Sequence, residues 1–225
     1  MNQLRIGVDR RSFLAAIGSI LCDPFTNQGL AAGLVADDGS PIRLVDVAEE
    51  RLLNAFAYGQ HMGPESADVI LAELSDYNCG FCRRAWRPLS EVMAADQRLA
   101  LQFIHFPILS SGSEAAAAIQ QAVFHRDGAD MGTRLHAALM AWSGRVDEVA
   151  ARNACASLKI SFPGSEPIER ARSEISHMRR NATLLGIRFT PTFSVAGMTF
   201  VGWPGPETIK GLAAQARKCG RLPCG

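Results

Sequence analysis

Val69-Ile70-Leu71-Ala72-Glu73-Leu74-Ser75, continued by Asp76-Tyr77-Asn78 and Cys79-Gly80-Phe81-Cys82, sets the architecture of this chain. Its first seven residues have the length and branching of a buried strand. Cys79 then opens a turn into a helix through Ala85, Trp86, Leu89 and Val92 to Ala95. Leu99 to Phe106 is a second strand, stopped by Pro107. A strand-helix-strand unit favours a right-handed crossover and parallel pairing. The two cysteines therefore stand where a strand hands over to a helix. Unpaired N–H groups and positive dipole charge in a first helical turn stabilise a thiolate, which is the nucleophilic form of cysteine. Two thiols at this spacing can close and reopen a small disulfide, the first attacking a substrate and the second resolving the mixed disulfide. Arg83 and Arg84 either add favourable potential there or form a solvated helix face.

Beyond Pro107 the pattern changes. Ser113 to His125, Met131 to Trp142, Val146 to Ile160 and Glu166 to Leu185 carry helical periodicity, separated by Gly or Pro signals. Strands return at Thr192 to Ala196 and Met198 to Val201, joined through Gly197 as a hairpin. Pro206 to Lys218 reads as a closing amphipathic helix. Upstream, Ile42 to Tyr58 shows a helical stripe of Val45, Ala48, Leu52 and Phe56, broken by Gly63-Pro64-Glu65-Ser66. The expected fold is an α/β core interrupted by an all-helical insertion. Its parts are 1–36 (export signal and leader), 37–66 (N-terminal helical segment), 67–109 with 187–218 (core), 110–186 (inserted helical subdomain) and 219–225 (tail).

The chain has 225 residues, ample for a hydrophobic core. With 48% apolar and 20% charged residues it is globular in composition. A formal net charge of +1 gives no electrostatic reason to expect nucleic acid as a partner. No apolar run reaches the ~18 residues of a membrane-spanning helix. Six cysteines are too few for a disulfide-scaffold miniprotein of this length. Arg5, Arg10 and Arg11 precede an apolar stretch from Phe13 to Cys22, the layout of an export signal. Asp9-Arg10-Arg11-Ser12-Phe13-Leu14 has the form of a twin-arginine export motif. Cys155, Cys219 and Cys224 remain, and sequence leaves open whether Cys219 and Cys224 pair with each other or with Cys155. His125, His136 and His177 lie on separate helices without ligand spacing, so no metal role is assigned. Met140, Trp142 and Met178 read as core.

Three separated motifs resemble those of the DsbA-like periplasmic thiol-disulfide oxidoreductases. They are Asp76-Tyr77-Asn78-Cys79-Gly80-Phe81-Cys82 after a strand, Phe106-Pro107-Ile108-Leu109, and Gly186-Ile187-Arg188-Phe189-Thr190-Pro191-Thr192-Phe193. The likeness covers residues 68–217 and implies a thioredoxin fold split by a helical insertion. It makes Cys79 the exposed nucleophile, Cys82 the buried resolving thiol, and Thr190-Pro191 a cis-proline loop that faces them and pairs with extended substrate backbone. Glu73 matches an acidic residue buried beneath the disulfide, able to relay protons to Cys82; otherwise it is a carboxylate on a solvated strand face. One departure concerns a Lys that relatives often carry near the end of the second strand, where this chain has Phe103-Ile104-His105.

The resemblance further implies a periplasmic enzyme with no cofactor and no metal. Its partners would be exported client proteins with cysteines and a membrane redox protein that recycles the pair. Gly80-Phe81 lacks the His of the strongest oxidants and, with Thr190, is similar to isomerases and reductases. Isomerases of this group oligomerise through N-terminal segments, so Ile42–Tyr58 either does this or packs on its own domain. Two rival expectations are a binding or chaperone module without redox turnover, and a zinc-stabilised domain using Cys79 and Cys82 as half of a site.

Overall fold

The computed structural model describes residues 34–47 and 58–224. Of the expected export signal and leader, residues 1–36, all but 34–36 lie outside the described residues. Among these residues six strands form one sheet in the order β1-β6-β5-β3-β4-β2. They are β1 (Arg43–Val45), β2 (Gln60–Met62), β3 (Val69–Ser75), β4 (Leu99–His105), β5 (Thr192–Val195) and β6 (Met198–Val201). Among the described residues five helical elements accompany them: α1 (Gly80–Ala95), α2 (Ser111–Met140), α3 (Glu148–Ser157), α4 (Ser165–Leu184) and α5 (Pro206–Cys219).

The expected crossover is present. β3 and β4 pair in parallel from Val69↔Leu99 to Ser75↔His105, with α1 between them in sequence. The other ladders are antiparallel, including the β5–β6 hairpin that places Phe193 opposite Phe200. The periodicity of α1 is realised as a face of Ala85, Trp86, Leu89 and Val92, all buried. α5 buries Ile209, Leu212, Ala213 and Ala216 at helical spacing. β3 is central, so the chemistry at its C-terminal end is held by the best-packed part of the sheet.

The insertion begins as expected with two helices, Ser113–His125 and Met131–Trp142, which make the two arms of α2 on either side of non-helical Gly128 with φ 86°. Only glycine adopts that conformation without steric cost, and it lets the second arm return against the first. At the crossing Gly132 lies so close to Phe124 that a Cβ would come within 2.5 Å of its ring. Gln120 Nε2 donates to Gly132 O at 2.9 Å across the same joint.

The N-terminal segment requires a correction. Residues 37–66 were expected to be helical through Ile42–Tyr58, yet Arg43–Val45 is a strand on the free edge of β6, with Arg43 opposite Val201. Gln60–Met62 is a second strand, on the outer edge of β4. The unpaired N–H and C=O groups of a sheet edge compete with helix formation, and short flanking segments are captured by them. Residues 48–57 lie outside the described residues, and with them most of the segment suggested for oligomerisation. Ahead of β1, Asp37 accepts from the N–H groups of Glu207 and Thr208 at 2.9 and 2.8 Å, capping α5.

The tail resolves the cysteine pairing: Cys219 and Cys224 form a disulfide. Leu222 between them is buried, and its N–H donates to Ala196 O at 2.7 Å. Cys155 is a buried free thiol.

Candidate active site

At the end of β3 the chain makes a turn tied by Cys79 N donating to Asp76 O at 3.0 Å. Cys79 is the N-cap of α1, with extended backbone (φ −77°, ψ 114°). Its sulfur accepts from Cys82 N at 3.5 Å, so it does what a capping Ser or Asp oxygen does elsewhere. On the other side the thiol donates to Thr190 O at 3.2 Å. The Thr190-Pro191 bond is cis, and Pro191 is buried against the start of β5. Residues 111 positions apart in sequence are thus in direct contact at the redox pair.

The two thiols, both free, occupy unlike surroundings. Cys82 is fully buried and Cys79 is 6% exposed. The nucleophile expected to be exposed is therefore largely covered, because its sulfur is lodged between α1 and the Thr190 carbonyl. The ring of Phe81 is 62% exposed beside it. Cys79 is lowered from 9.0 to about 6, chiefly by a hydrogen bond from the Cys82 thiol, with Thr190 and the N–H groups of Cys82 and Phe81 assisting against burial. Cys82 moves strongly the other way: burial leads, and the hydrogen bond to Cys79 and the Glu73 carboxylate reinforce it. One thiol is acidic and the other held protonated.

Glu73 is on the buried face of β3, not the solvated one, and is 1% exposed. Burial pushes its carboxyl from 4.5 up to about 8; the nearby Ser75 hydroxyl opposes this and the charge of Cys79 adds to it. Across the sheet its partner on β4 is Phe103, while His105 stands opposite Ser75. No basic side chain replaces the Lys of relatives, since His105 is held neutral by burial, down to about 4, and bonds to Gln120 at 2.7 Å.

The arginines that follow the pair contribute differently from expectation. Arg83 turns away to donate to Met140 O and Gly144 O at 3.2 and 2.9 Å. Arg84 lies over the Phe81 ring, 4.5 Å from its centroid. Neither is among the causes that acidify Cys79. Cys219 and Cys224, being bonded to each other, supply no second half for a zinc site at Cys79 and Cys82.

A thioredoxin family model matches residues 57–214. The chain belongs to the thioredoxin family. A thioredoxin-like oxidoreductase from Silicibacter pomeroyi DSS-3 is 26% identical with a TM-score of 0.65, over 76% of this chain and 98% of its own. A periplasmic thioredoxin-like protein from Salmonella enterica serovar Typhimurium shares the fold with a TM-score of 0.68 at 17% identity, over 76% and 98%. The thiol-disulfide exchange protein alpha-DsbA2 from Wolbachia pipientis gives 0.65 at 18%, over 74% and 90%. The fold is thus the DsbA-like form of the thioredoxin fold, that of thioredoxin-like oxidoreductases. A Na(+)/H(+) antiporter NhaA from Nitrosospira multiformis (strain ATCC 25196 / NCIMB 11849 / C 71) is 27% identical over 165 residues. The match takes in 70% of this chain and 25% of the antiporter, so the chain spans about a quarter of that curated relative. Among the described residues of this thioredoxin-family chain, no helix is long and apolar enough to cross a membrane.

Cys79, Cys82, Glu73, Thr190 and Pro191 are therefore gathered around the C-terminal end of β3. Sequence reading gives no separate role to Asp76 or Asn78, although both sit in the same turn. Asp76 is buried and accepts four hydrogen bonds, from the N–H groups of Asn78, Ile108 and Leu109 and from Ser113 Oγ, at 2.7 to 2.9 Å. The available signal was two polar residues between a buried strand and the cysteine, where an exposed turn would not need them.

Proposed function

We propose that this protein is a thiol-disulfide oxidoreductase that exchanges disulfides with exported client proteins through Cys79 and Cys82. The observation that carries the reading is the opposite acidity of two thiols three residues apart, one at a helix N-terminus and one over a buried carboxyl. In the reducing direction the Cys79 thiolate attacks one sulfur of a client disulfide, forming a mixed disulfide and releasing a client thiolate. Cys82 then loses its proton and attacks Cys79 Sγ, closing the Cys79–Cys82 disulfide and freeing the second client sulfur. Oxidation of a client dithiol is the same sequence reversed. A dithiol–disulfide redox protein of the membrane returns the pair to its working state.

Glu73 is the base for the second step. While Cys79 is a thiolate its charge helps keep Glu73 protonated. Once Cys79 enters a mixed disulfide that charge is gone and a small part of the upward push with it, so the minor fraction of Glu73 present as carboxylate grows at the step where Cys82 must ionise. Thr190 and Pro191 offer the client its backbone contact. Phe81, Leu109 and Phe189 are exposed apolar groups where the helical insertion meets the core, suited to a loosely held peptide. The direction favoured is isomerisation or reduction over strong oxidation. The periplasm is the compartment, entered through the basic and apolar N-terminal signal; the Cys219–Cys224 disulfide suits it.

The test is trapping. Cys82→Ala should accumulate mixed disulfides with client proteins, and Cys79→Ala should not. Equal trapping by both variants refutes the assignment of roles. Absence of turnover on insulin and on a scrambled disulfide substrate would leave a binding module instead.

A further inference from the structure

The residues on either side of the CxxC turn reach the same short segment of the insertion. Before it, the Asn78 side-chain amide pairs with both backbone groups of Val146: Nδ2 donates to Val146 O at 2.7 Å and Oδ1 accepts from Val146 N at 2.8 Å. The same Nδ2 lies 2.8 Å from Ser113 Oγ and 3.3 Å from Ser110 Oγ, at the start of α2. After it, Arg83 donates to Met140 O and Gly144 O, at the end of α2 and in the connection to α3. Val146 itself is fully buried, so its N–H and C=O have no water to fall back on.

We propose that Asn78 is a positioning residue for the redox pair, holding the CxxC turn against the Met140–Val146 segment of the insertion so that Cys79 Sγ keeps its place at the α1 N-terminus and against Thr190. The proposal rests on Cys79 being the attacking thiol. The geometry explains why an amide stands at position 78. An Asp there would accept from Val146 N but leave Val146 O without a donor. A Ser is too short to form both bonds from the same Cα. Asp76 fixes the turn from the core side, and Asn78 ties it to the insertion; the two bonds to Val146 resemble one rung of a β-ladder made by a side chain. Loosening this rung widens the range of positions open to Cys79, and hydrogen bonds from Cys82 N and Phe81 N weaken steeply with distance and angle. The thiolate loses stabilisation while the charged and titratable neighbours, Glu73 and Cys82, are chemically unchanged.

The test follows thiolate absorbance of the reduced full-length protein against pH, together with the rate of Cys79 alkylation. Asn78→Ala should raise the Cys79 titration midpoint by about one unit, cutting the thiolate fraction about tenfold at pH 5 and slowing alkylation about three- to fourfold once the greater nucleophilicity of a less acidic thiolate is counted. Arg83→Lys retains the charge but not the fork that reaches both carbonyls, and should shift it the same way by less. Gln120→Ala removes a buried hydrogen-bonding group of α2 that does not touch the turn, and should destabilise the protein without moving the midpoint. An unchanged midpoint in folded Asn78→Ala overturns the proposal, as does an equal shift in Gln120→Ala. If Asn78→Ala fails to fold, an unmoved Arg83→Lys overturns it. Should Cys79 in the unsubstituted protein titrate like an ordinary thiol, the reading of Cys79 as attacking thiol fails instead, whatever position 78 does.

Discussion

Replacing Glu73 by Gln should remove a specific pH dependence of stability. Glu73 is buried, and its carboxyl is raised from 4.5 to about 8. Between those values the folded protein holds a proton that the unfolded chain has released. A group raised in this way contributes stability in full below the unfolded value, and that stability is lost as pH rises through the folded one. The interval is 8 minus 4.5, or 3.5 units, and at ~1.4 kcal/mol per unit the total is about 5 kcal/mol. Other groups titrate in the same range. His105, depressed to about 4, contributes stability present above ~6.5 and lost below, and His136 behaves likewise. Reduced Cys79, depressed to about 6, contributes stability that grows from there toward 9 and masks Glu73. The oxidised protein removes Cys79 from the balance and, with its charge, a small part of the upward push on Glu73. Urea unfolding of oxidised wild type and Glu73→Gln, from pH 5 to 8.5, then isolates the carboxyl. The stability difference should shift in favour of Gln by about 2 kcal/mol between pH 6.5 and 8. Parallel curves would mean that Glu73 is ionised in the fold at neutral pH, and the burial argument for its role as a base would fall.

Phe81→His should make the protein more oxidising by an amount on the order of 30 mV, about 1.4 kcal/mol, by placing a donor or charge near the Cys79 sulfur; equilibration with glutathione buffers reads it, and no change refutes the dipeptide argument. Cys219→Ser should lower unfolding stability by about 2 kcal/mol through the reopened loop and leave the Cys79 titration unmoved; denaturant melts and the alkylation rate check the two halves of that statement.

Much of this arrangement was readable in the chain. The branched run from Val69 to Ser75 and the stripe Ala85, Trp86, Leu89, Val92 are local patterns, and both became what their periods required. The hairpin around Gly197 is equally local. Ile42–Val45 was not, because a three-residue strand exists only through the edge of β6 more than 150 residues downstream. The break at Gly128 appears in sequence as a gap between helices, and only the close approach of Gly132 to Phe124 shows that the arms fold back on each other. At the site, the cysteines announce themselves by spacing and setting. Asn78 does not, since its partner is the backbone of Val146, and a backbone carries no residue identity to recognise. Arg83 misleads in the opposite way: its charge suggests influence on the thiolate, and its fork is spent on two carbonyls.

The sources of Cys79's acidity bear on the direction of the reaction. A redox pair grows more oxidising as its reduced form is stabilised, and thiolate stabilisation is the main lever. Thioredoxin, with a thiol near ~7, sits at ~−270 mV, whereas DsbA, near ~3.5, sits at ~−120 mV. Cys79 at about 6 falls between them and nearer the first. The structure supplies the reason. Its stabilisers are the neighbouring thiol, Thr190 and N–H groups, and no cation is among them. Arg84 is stacked on Phe81, and the position between the cysteines that could hold a His holds an exposed apolar ring instead. A thiolate supported only by dipoles is acidic enough to attack at neutral pH, yet not so stable that the oxidised pair is driven to seize electrons from every client. It also remains the better nucleophile, because intrinsic thiolate reactivity falls as the thiol becomes more acidic. On the function proposed above, that combination favours attack on existing disulfides, the first step of reduction and isomerisation alike.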